Sequence, residues 1–473
     1  SVLDYFDLYK KFTYVRQESY RLNYIAKVEL GESKLDNPYE TFKDFYTKDY
    51  QKFVEYNIQD VELVDKLEDK MKLIELCLTM AYEAKVNYTD VYSQVRCWDT
   101  IIYNHLLKKN IIIPPREDHD KDTQYEGAYV KDPQLGLHNW IVSFDLNSLY
   151  PHLIMQYNLS PETLVGVQPK NMGVENYLNE KFNLQWAKDK NVTVAPNGSM
   201  YRRDKQGFLP ELMEKMYGDR VVFKKKTIEA KKEFQKTKDP IYKNEISRCN
   251  NIQMAKKIAL NSAYGAIGNQ YFRYFDVRIA EAITLGGQLS IRWVERDVNK
   301  FMNKLLNTDN VNYVVASDTD SIYLKLDKLV EKVCKDKSPQ QITDFINKAA
   351  EDKIQKVIDD SFNNLAKYVN AYQQKMIMKR EAIANKAIWV AKKRYMMNVF
   401  DEEGIRFDIP KLKIMGVEAV KSSTPEVCRG KIKDAIRVIM NDSEDALIKF
   451  VADFKEVFKT LSPEEVAFPR SCN

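Results

Sequence analysis

The sequence predicts a mixed α/β protein built as several domains, and three observations carry that prediction. A chain of 473 residues is longer than one ordinary hydrophobic core organises. Apolar side chains at three- and four-residue spacing dominate the first 110 residues and return in later blocks, as amphipathic helices require. Between those blocks lie short β-branched runs with period-two alternation, such as "YVVASDTDSIYLKL" over 313–326, which read as strands.

In chain order, "TKDYQKFVEYNIQDVELVDKLEDKMKLIELCLTMAYEAK" and "TDVYSQVRCWDTIIYNHLLKK" keep helical spacing for several turns, and the proline and charge break in "IIIPPREDHDKD" reads as a boundary. From "YEGAYV" to "WIVSFDLNSLYP" the pattern changes to strands, then to Asn-, Gly- and Pro-rich loop through "APNGSMYRRDKQGFLP". A helical pair follows over 215–257, then the helix "AEAITLGGQLSIRWVERDVNKFMNKL", the hairpin at 313–326, another long helix and strands around "IWVAKKRYMMNVF". The tail after Gly416 reads as helix, and no internal repeat or low-complexity tract interrupts the chain.

Composition narrows the class. Hydrophobic content of 44% with 30% charged residues is that of a water-soluble globular protein, and no apolar run is long enough to span a bilayer. The 73 basic and 68 acidic side chains leave a charge of only +5, but its distribution is uneven. Between Lys215 and Lys257 a dense cationic load meets only Asp219, Glu229, Glu233, Asp239 and Glu245. A solvated helix face accounts for most of those lysines; a polyanion accounts for their concentration. The six cysteines are scattered, with neither a CxxC pair nor a histidine cluster beside them, so reduced thiols and no structural zinc are expected.

The chemistry is concentrated at strand ends. Asp318 and Asp320 stand one residue apart at the tight turn of the hairpin, and Asp145 closes the apolar run "WIVSFDLNSLYP". A lone Asp at a strand end is ordinarily a turn or cap residue. Three carboxylates at strand ends, with no Cys or His among them, make an oxygen-rich set suited to hard divalent cations such as Mg²⁺, which complete their shell with substrate phosphates. Lys257, Asn261 and Tyr264 in "MAKKIALNSAYGAIGN" share one helix face, which is polar where a core-facing stripe would be apolar. Arg220 and Lys224, four residues apart, offer a phosphate clamp.

These stretches resemble family B DNA polymerases. "FDLNSLYP" is similar to that family's motif A, "KIALNSAYG" to motif B and "SDTDSIYL" to motif C, in the family's order; "YEGA" at 125–128 and "KKRY" at 392–395 are similar to two further motifs that contact primer and template. Longer stretches, among them "SPETL", "FRYFDVR" and "PKLKIMGVEAVKSSTP", look like the replicative polymerases of T-even and related phages, and the resemblance covers essentially the whole chain. It implies a right-hand architecture with an antiparallel-sheet palm, two-helix fingers and a partial helical thumb. The implied boundaries are 1–72 for the end of a 3′–5′ exonuclease domain, 73–116 for a helical connection, 117–206 and 270–415 for the palm, 207–269 for the fingers and 416–473 for a truncated thumb.

The resemblance also implies roles. Asp145 and Asp320 would hold two Mg²⁺ ions, with Mn²⁺ able to substitute; Asp318 would be a weaker or indirect ligand and Glu381 a supporting carboxylate. Backbone groups of Leu146, Asn147, Ser148 and Leu149 would cradle the triphosphate, and Tyr150 would exclude a 2′-OH. Arg220, Lys224 and Lys257 would meet nucleotide phosphates, with Asn261 and Tyr264 against the nascent base pair. Tyr125 and Gly127, with Lys392, Lys393, Arg394 and Tyr395, would contact DNA. Two features depart from the family pattern: Ala316-Ser317 replace Tyr-Gly before the first Asp of motif C, and His152 replaces the serine that commonly follows motif A.

The implied reaction is template-directed transfer of deoxynucleotides from dNTPs to a primer 3′-OH. The partners expected are primer-template DNA, a sliding clamp and the remaining polymerase segments, in a host-cell cytoplasm and away from any membrane. "YNIQDVELV" matches only the third exonuclease motif, with Tyr56 and Asp60 as candidates, so no proofreading is expected; a helix-surface pair explains the two equally well. A basic nucleic-acid module without catalysis would be expected to have damaged carboxylates, whereas all three are intact. A two-metal nuclease would not need the Lys257, Asn261 and Tyr264 face.

Overall fold

The computed structural model describes residues 2–13, 16–117, 124–168 and 172–468. Cys472 and the last residues of the expected break at 111–122 lie outside them. The other five cysteines are free thiols, and no helix among the described residues is long and apolar enough to cross a membrane. The chain divides into two compact units, and the division crosses the helix Gln94–Leu107 and the two basic helices Phe208–Thr237 and Ile241–Ile267.

The first unit consists mainly of Ser1–His105 and Gly218–Ala259 and is helical. Its core gathers Leu8, Tyr9 and Phe12 of the Tyr5–Phe12 helix with Leu67, Leu73, Leu76 and Cys77, the apolar stripe anticipated from helical spacing. The long helix Tyr50–Met71 starts where the Asp49 side chain accepts the Lys52 N–H, and stops at Lys72, whose φ of 56° breaks the helical path. Removing such a cap costs about 1 kcal/mol.

The second unit, Leu106–Tyr217 with Leu260–Ala467, is mixed. It contains strands β1 (Gly136–Leu146), β2 (Leu164–Val167), β3 (Val192–Val194), β4 (Ser199–Arg202), β5 (Val314–Asp318), β6 (Ser321–Lys325), β7 (Met378–Ala391), β8 (Arg394–Glu402) and β9 (Ile405–Met415). Six of them form an antiparallel sheet in the order β5-β6-β1-β7-β8-β9, and β2-β4-β3 form a small second sheet. Strand β1 runs through the middle, and Ile141, Val142 and Phe144 are wholly buried because both faces of the sheet are covered there.

Close helix packing places the chain that leaves β1. The helix Leu149–Tyr157 lies against Val277–Leu306 at Gly286 and Gly287, where an added Cβ would meet Leu153 at 3.3 Å and Leu149 at 3.4 Å. These glycines let the two backbones approach, which fixes where Tyr150 emerges. After Gly416 the chain is helical, as expected, and Met396, Val417, Ala419, Ile436 and Met440 form a separate apolar cluster there.

Candidate active site

Antiparallel pairing brings the strand-end carboxylates together. Asp145 is in register with Ser321 across β1 and β6, and the Leu146 N–H donates to the Asp320 carbonyl at 2.8 Å, so Asp145 and Asp320 sit at the same sheet edge. The hairpin turn is tight: the Asp320 N–H donates to the Asp318 carbonyl at 2.6 Å, and Thr319 adopts φ 57° with its N–H on the Tyr129 carbonyl. Glu381 arrives from the other neighbour, β7, where a bulge at Ser143/Phe144 lets Ser143 donate through Oγ to Glu381 Oε2 at 3.1 Å.

The electrostatics show a shortage of positive charge. Burial first, then the charges of Asp320 and Glu381, push the Asp145 carboxyl up to about 7. Burial is also the main cause that raises Asp320 to about 6; its own backbone amide opposes the rise, while Asp318 and Glu381 add to it. Two lysines supply part of the missing charge. Lys393, in the β7–β8 turn, lies 2.5 Å from Asp318 Oδ1, and Lys413, on β9, lies 2.6 Å from Glu381 Oε1. Burial, the largest single cause, would lower Lys413, but its hydrogen bond to Glu381 and the charges of Glu381, Tyr395 and Glu402 together outweigh that and raise it.

The carboxylates fit divalent cations in donor type and in their unmet charge. Among the described residues no three Asp, Glu, His or Cys side chains already converge on one metal position. Asp318 and Glu381 instead face their lysines. Lys413 and Ser143 escaped the sequence reading; Lys413 lies in the "PKLKIMG" stretch, but nothing local ties it to a carboxylate 32 residues away.

The residues after β1 lead away from this sheet edge. The N–H groups of Leu146 and Asn147 are used internally, on the carbonyls of Asp320 and Ile377, and Ser148 and Leu149 follow at the start of the Leu149–Tyr157 helix. Ser148 takes the left-handed conformation at φ 46°. The Tyr150 ring lies 4.7 Å from that of Tyr264, whose hydroxyl is 3.4 Å from that of Tyr125, and Asn261 is exposed on the same helix as Tyr264. Gly127 accepts a hydrogen bond from Gln288 at 2.7 Å. His152 is buried, its ring edge-on to Tyr217 and its Nδ1 3.0 Å from the Ser148 carbonyl, a position inside the fold rather than at the carboxylates.

The "KKRY" side chains all have protein partners. Lys392 pairs with Asp132 at 2.9 Å and Arg394 with both oxygens of Glu418 at 2.6 Å. Tyr395 is buried, its hydroxyl 2.8 Å from that of Tyr323 and its ring stacked on Trp389. Ala316 and Ser317, the departures in motif C, are buried beside this turn, and the Ser317 hydroxyl has no hydrogen-bond partner. In the first unit Arg220 and Lys257 are half-buried and Lys224 is exposed, whereas neighbouring Lys256 is buried and held by Glu83 and Asp219 at 2.8 and 3.2 Å. Tyr56 sits in an aromatic cluster with Phe42 and Phe45, and Asp60 pairs with Lys34 at 2.7 Å.

Known proteins place the chain. The family model for DNA polymerase family B matches residues 86–468. The DNA-directed DNA polymerases of Escherichia phage RB69 and Enterobacteria phage T4 are 34% and 33% identical over all of this chain, covering 57% and 58% of their own lengths. DNA polymerase 1 of Pyrococcus abyssi is 25% identical over 89% of the chain and 46% of its own length. The chain thus spans a little over half the length of its phage relatives. With the family model covering most of its residues and its strand-end carboxylates arranged on one antiparallel sheet, the chain belongs to DNA polymerase family B.

Proposed function

We propose that this chain is the catalytic core of a template-directed DNA polymerase, in which a primer 3′-OH attacks the α-phosphate of a dNTP and pyrophosphate leaves. The observation that carries the reading is the juxtaposition of Asp145 and Asp320, two half-buried carboxylates at one sheet edge with raised affinities for protons. Asp145 and Asp320 are the groups that would hold two Mg²⁺ ions, for which Mn²⁺ can substitute. Bound there, such ions would neutralise charge on the attacking and departing oxygens.

The chain's own residues supply positioning. Asp318 keeps Lys393 at the hairpin, and Ser143 and Lys413 orient Glu381 beside Asp145. The backbone after β1, through Ser148 and Leu149, meets the triphosphate, and the Tyr150 ring, braced by Tyr264, closes the space beside the sugar 2′ position. Arg220, Lys224 and Lys257 meet the phosphates, and Asn261 and Tyr264 the nascent base pair. Lys392, Lys393 and Arg394 contact the primer with Tyr125 and Gly127, while buried Tyr395 holds the turn that carries them.

In this reading 117–206 and 270–415 are palm, 207–269 fingers, 416–473 the start of a thumb, 73–116 a helical connection and 1–72 the end of an exonuclease domain. Tyr56 and Asp60 serve packing and an ion pair there. The partners are primer-template DNA, dNTPs and a clamp, in the cytoplasm of a host cell. The test is extension of a labelled primer-template by the purified chain with Mg²⁺ and all four dNTPs. Extension that follows the template supports the reading, and none at micromolar enzyme contradicts it.

A further inference from the structure

A cationic cavity of about 450 Å³ lies in the mixed unit among residues given no role above. Lys188, Arg203 and Lys367 line it, and no carboxylate does. Acidic neighbours in sequence are already engaged elsewhere: Asp204 holds Arg202 at 2.7 Å, and Glu214 holds Lys375 at 2.6 Å. Among the described residues, Lys188, Arg203 and Lys367 have no carboxylate partner.

Lys188 and Lys367 stand in the last turns of Gln185–Asp189 and Gln355–Tyr368, where a cation complements the helix dipole. That accounts for two of the three. Arg203 is on no helix, and its Nε is buried with no acceptor, a donor whose desolvation is uncompensated unless a ligand oxygen meets it.

The rest of the lining suits a nucleotide. Tyr372 offers a half-buried ring, and Asn363, Gln373 and Gln374 offer amides able to bond base edges. The floor is rigid. Asn370 adopts φ 50° and donates through Nδ2 to Val192 O at 2.8 Å, and the Tyr372 N–H donates to Gln156 O at 2.9 Å. The volume falls within the range of roughly 300–1,000 Å³ typical of small-molecule sites.

We propose that this cavity binds a phosphate-bearing nucleotide unit, apart from the Asp145–Asp320 site. Arg203, Lys188 and Lys367 take the phosphate, and Tyr372 with the amides takes the base. A free nucleotide and one unit of a single strand present the same chemistry.

The experiment uses the whole chain in EDTA with unlabelled primer-template in excess, and follows the anisotropy of fluorescein-labelled pentathymidylate. It needs no metal, dNTP or catalysis, so its failure and that of the polymerase reading are separable. Saturable binding is expected, weakened on the order of ten-fold by Arg203→Gln and by the exposed pair Lys188→Ser with Lys367→Ser, as loss of charge-assisted hydrogen bonds implies. Lys348→Ser, at another exposed helix-end lysine, should change nothing. Displacement by dTMP would assign the site to free nucleotides, and displacement by unlabelled oligothymidylate alone would assign it to a single strand. Equal binding by wild type and both variants, no saturable binding, or displacement by inorganic phosphate as effective as by dTMP would overturn the proposal.

Discussion

The Lys393 ammonium lies 2.5 Å from Oδ1 of Asp318, which seats the cation of the β7–β8 turn on the carboxylate of the β5–β6 hairpin. One ammonium cannot serve a carboxylate and a DNA strand equally well at the same time. Lys393→Met should therefore leave Asp318 more available to a divalent cation while removing the proposed contact to the primer. Mn²⁺ binding without DNA, followed by electron paramagnetic resonance, should tighten about two- to five-fold, the scale an exposed pair worth up to about 1 kcal/mol allows. Primer-template affinity should fall in the same variant. Unchanged or weaker Mn²⁺ binding would mean that Lys393 does not compete for the site.

The geometry of that turn depends on Gly416. Its φ is +65°, and a Cβ there would run into the Lys393 carbonyl, whereas Gly404 has a similar φ of +86° with open space around it. Gly404→Ala should cost about 1 kcal/mol of backbone strain. Gly416→Ala should cost about 2–3 kcal/mol, because the carbonyl must also move. Denaturant unfolding of the two variants checks the order; equal losses would show that the contact carries no weight.

Much of this site was legible in the sequence, for a local reason. Alternation across 313–326 specifies the hairpin, and side-chain spacing places Lys257, Asn261 and Tyr264 on one helix, Ile241–Ile267. The contacts that complete the site are non-local. Ser143 meets Glu381 across 238 residues, and Lys413 reaches the same carboxylate only because β9 lies two strands beyond β7, the strand that carries Glu381. No periodicity encodes that sheet order. The "KKRY" quartet was legible as a group but not in its division, with Tyr395 turned inward onto Tyr323.

The raised carboxyls make a prediction for the metal-free chain. Asp145 binds its proton more tightly folded than unfolded, so its contribution to stability is present at low pH. It is lost as pH rises from the ordinary value of 3.8 through about 7, and Asp320 acts in the same direction up to about 6. In EDTA, thermal melts should occur at higher temperature at pH 5.5 than at pH 7.5, as far as these two groups are concerned. Asp145→Asn should raise the midpoint at pH 7.5 and reduce the difference between the two pH values. A larger difference in the variant would contradict the assignment of the shift to Asp145.

Tyr150 is half-buried with its ring 4.7 Å from Tyr264 and is proposed to exclude a 2′-OH. Tyr150→Ala should raise ribonucleotide over deoxyribonucleotide incorporation by one to two orders of magnitude, since about 1.4 kcal/mol of lost exclusion is ten-fold. Single-nucleotide kcat/KM values for matched rNTP and dNTP measure it. An unchanged ratio would place sugar discrimination elsewhere.

The central claim is that Asp145 and Asp320, brought together at one sheet edge, are the carboxylates on which nucleotidyl transfer depends. The direct measurement is single-turnover primer extension by Asp320→Asn, beside its primer-template affinity in the same buffer. The account predicts a rate lower by at least about three orders of magnitude, with affinity within a few-fold of wild type, because phosphate contacts on other side chains carry the grip. Extension within ten-fold of wild type at matched Mg²⁺ would contradict it.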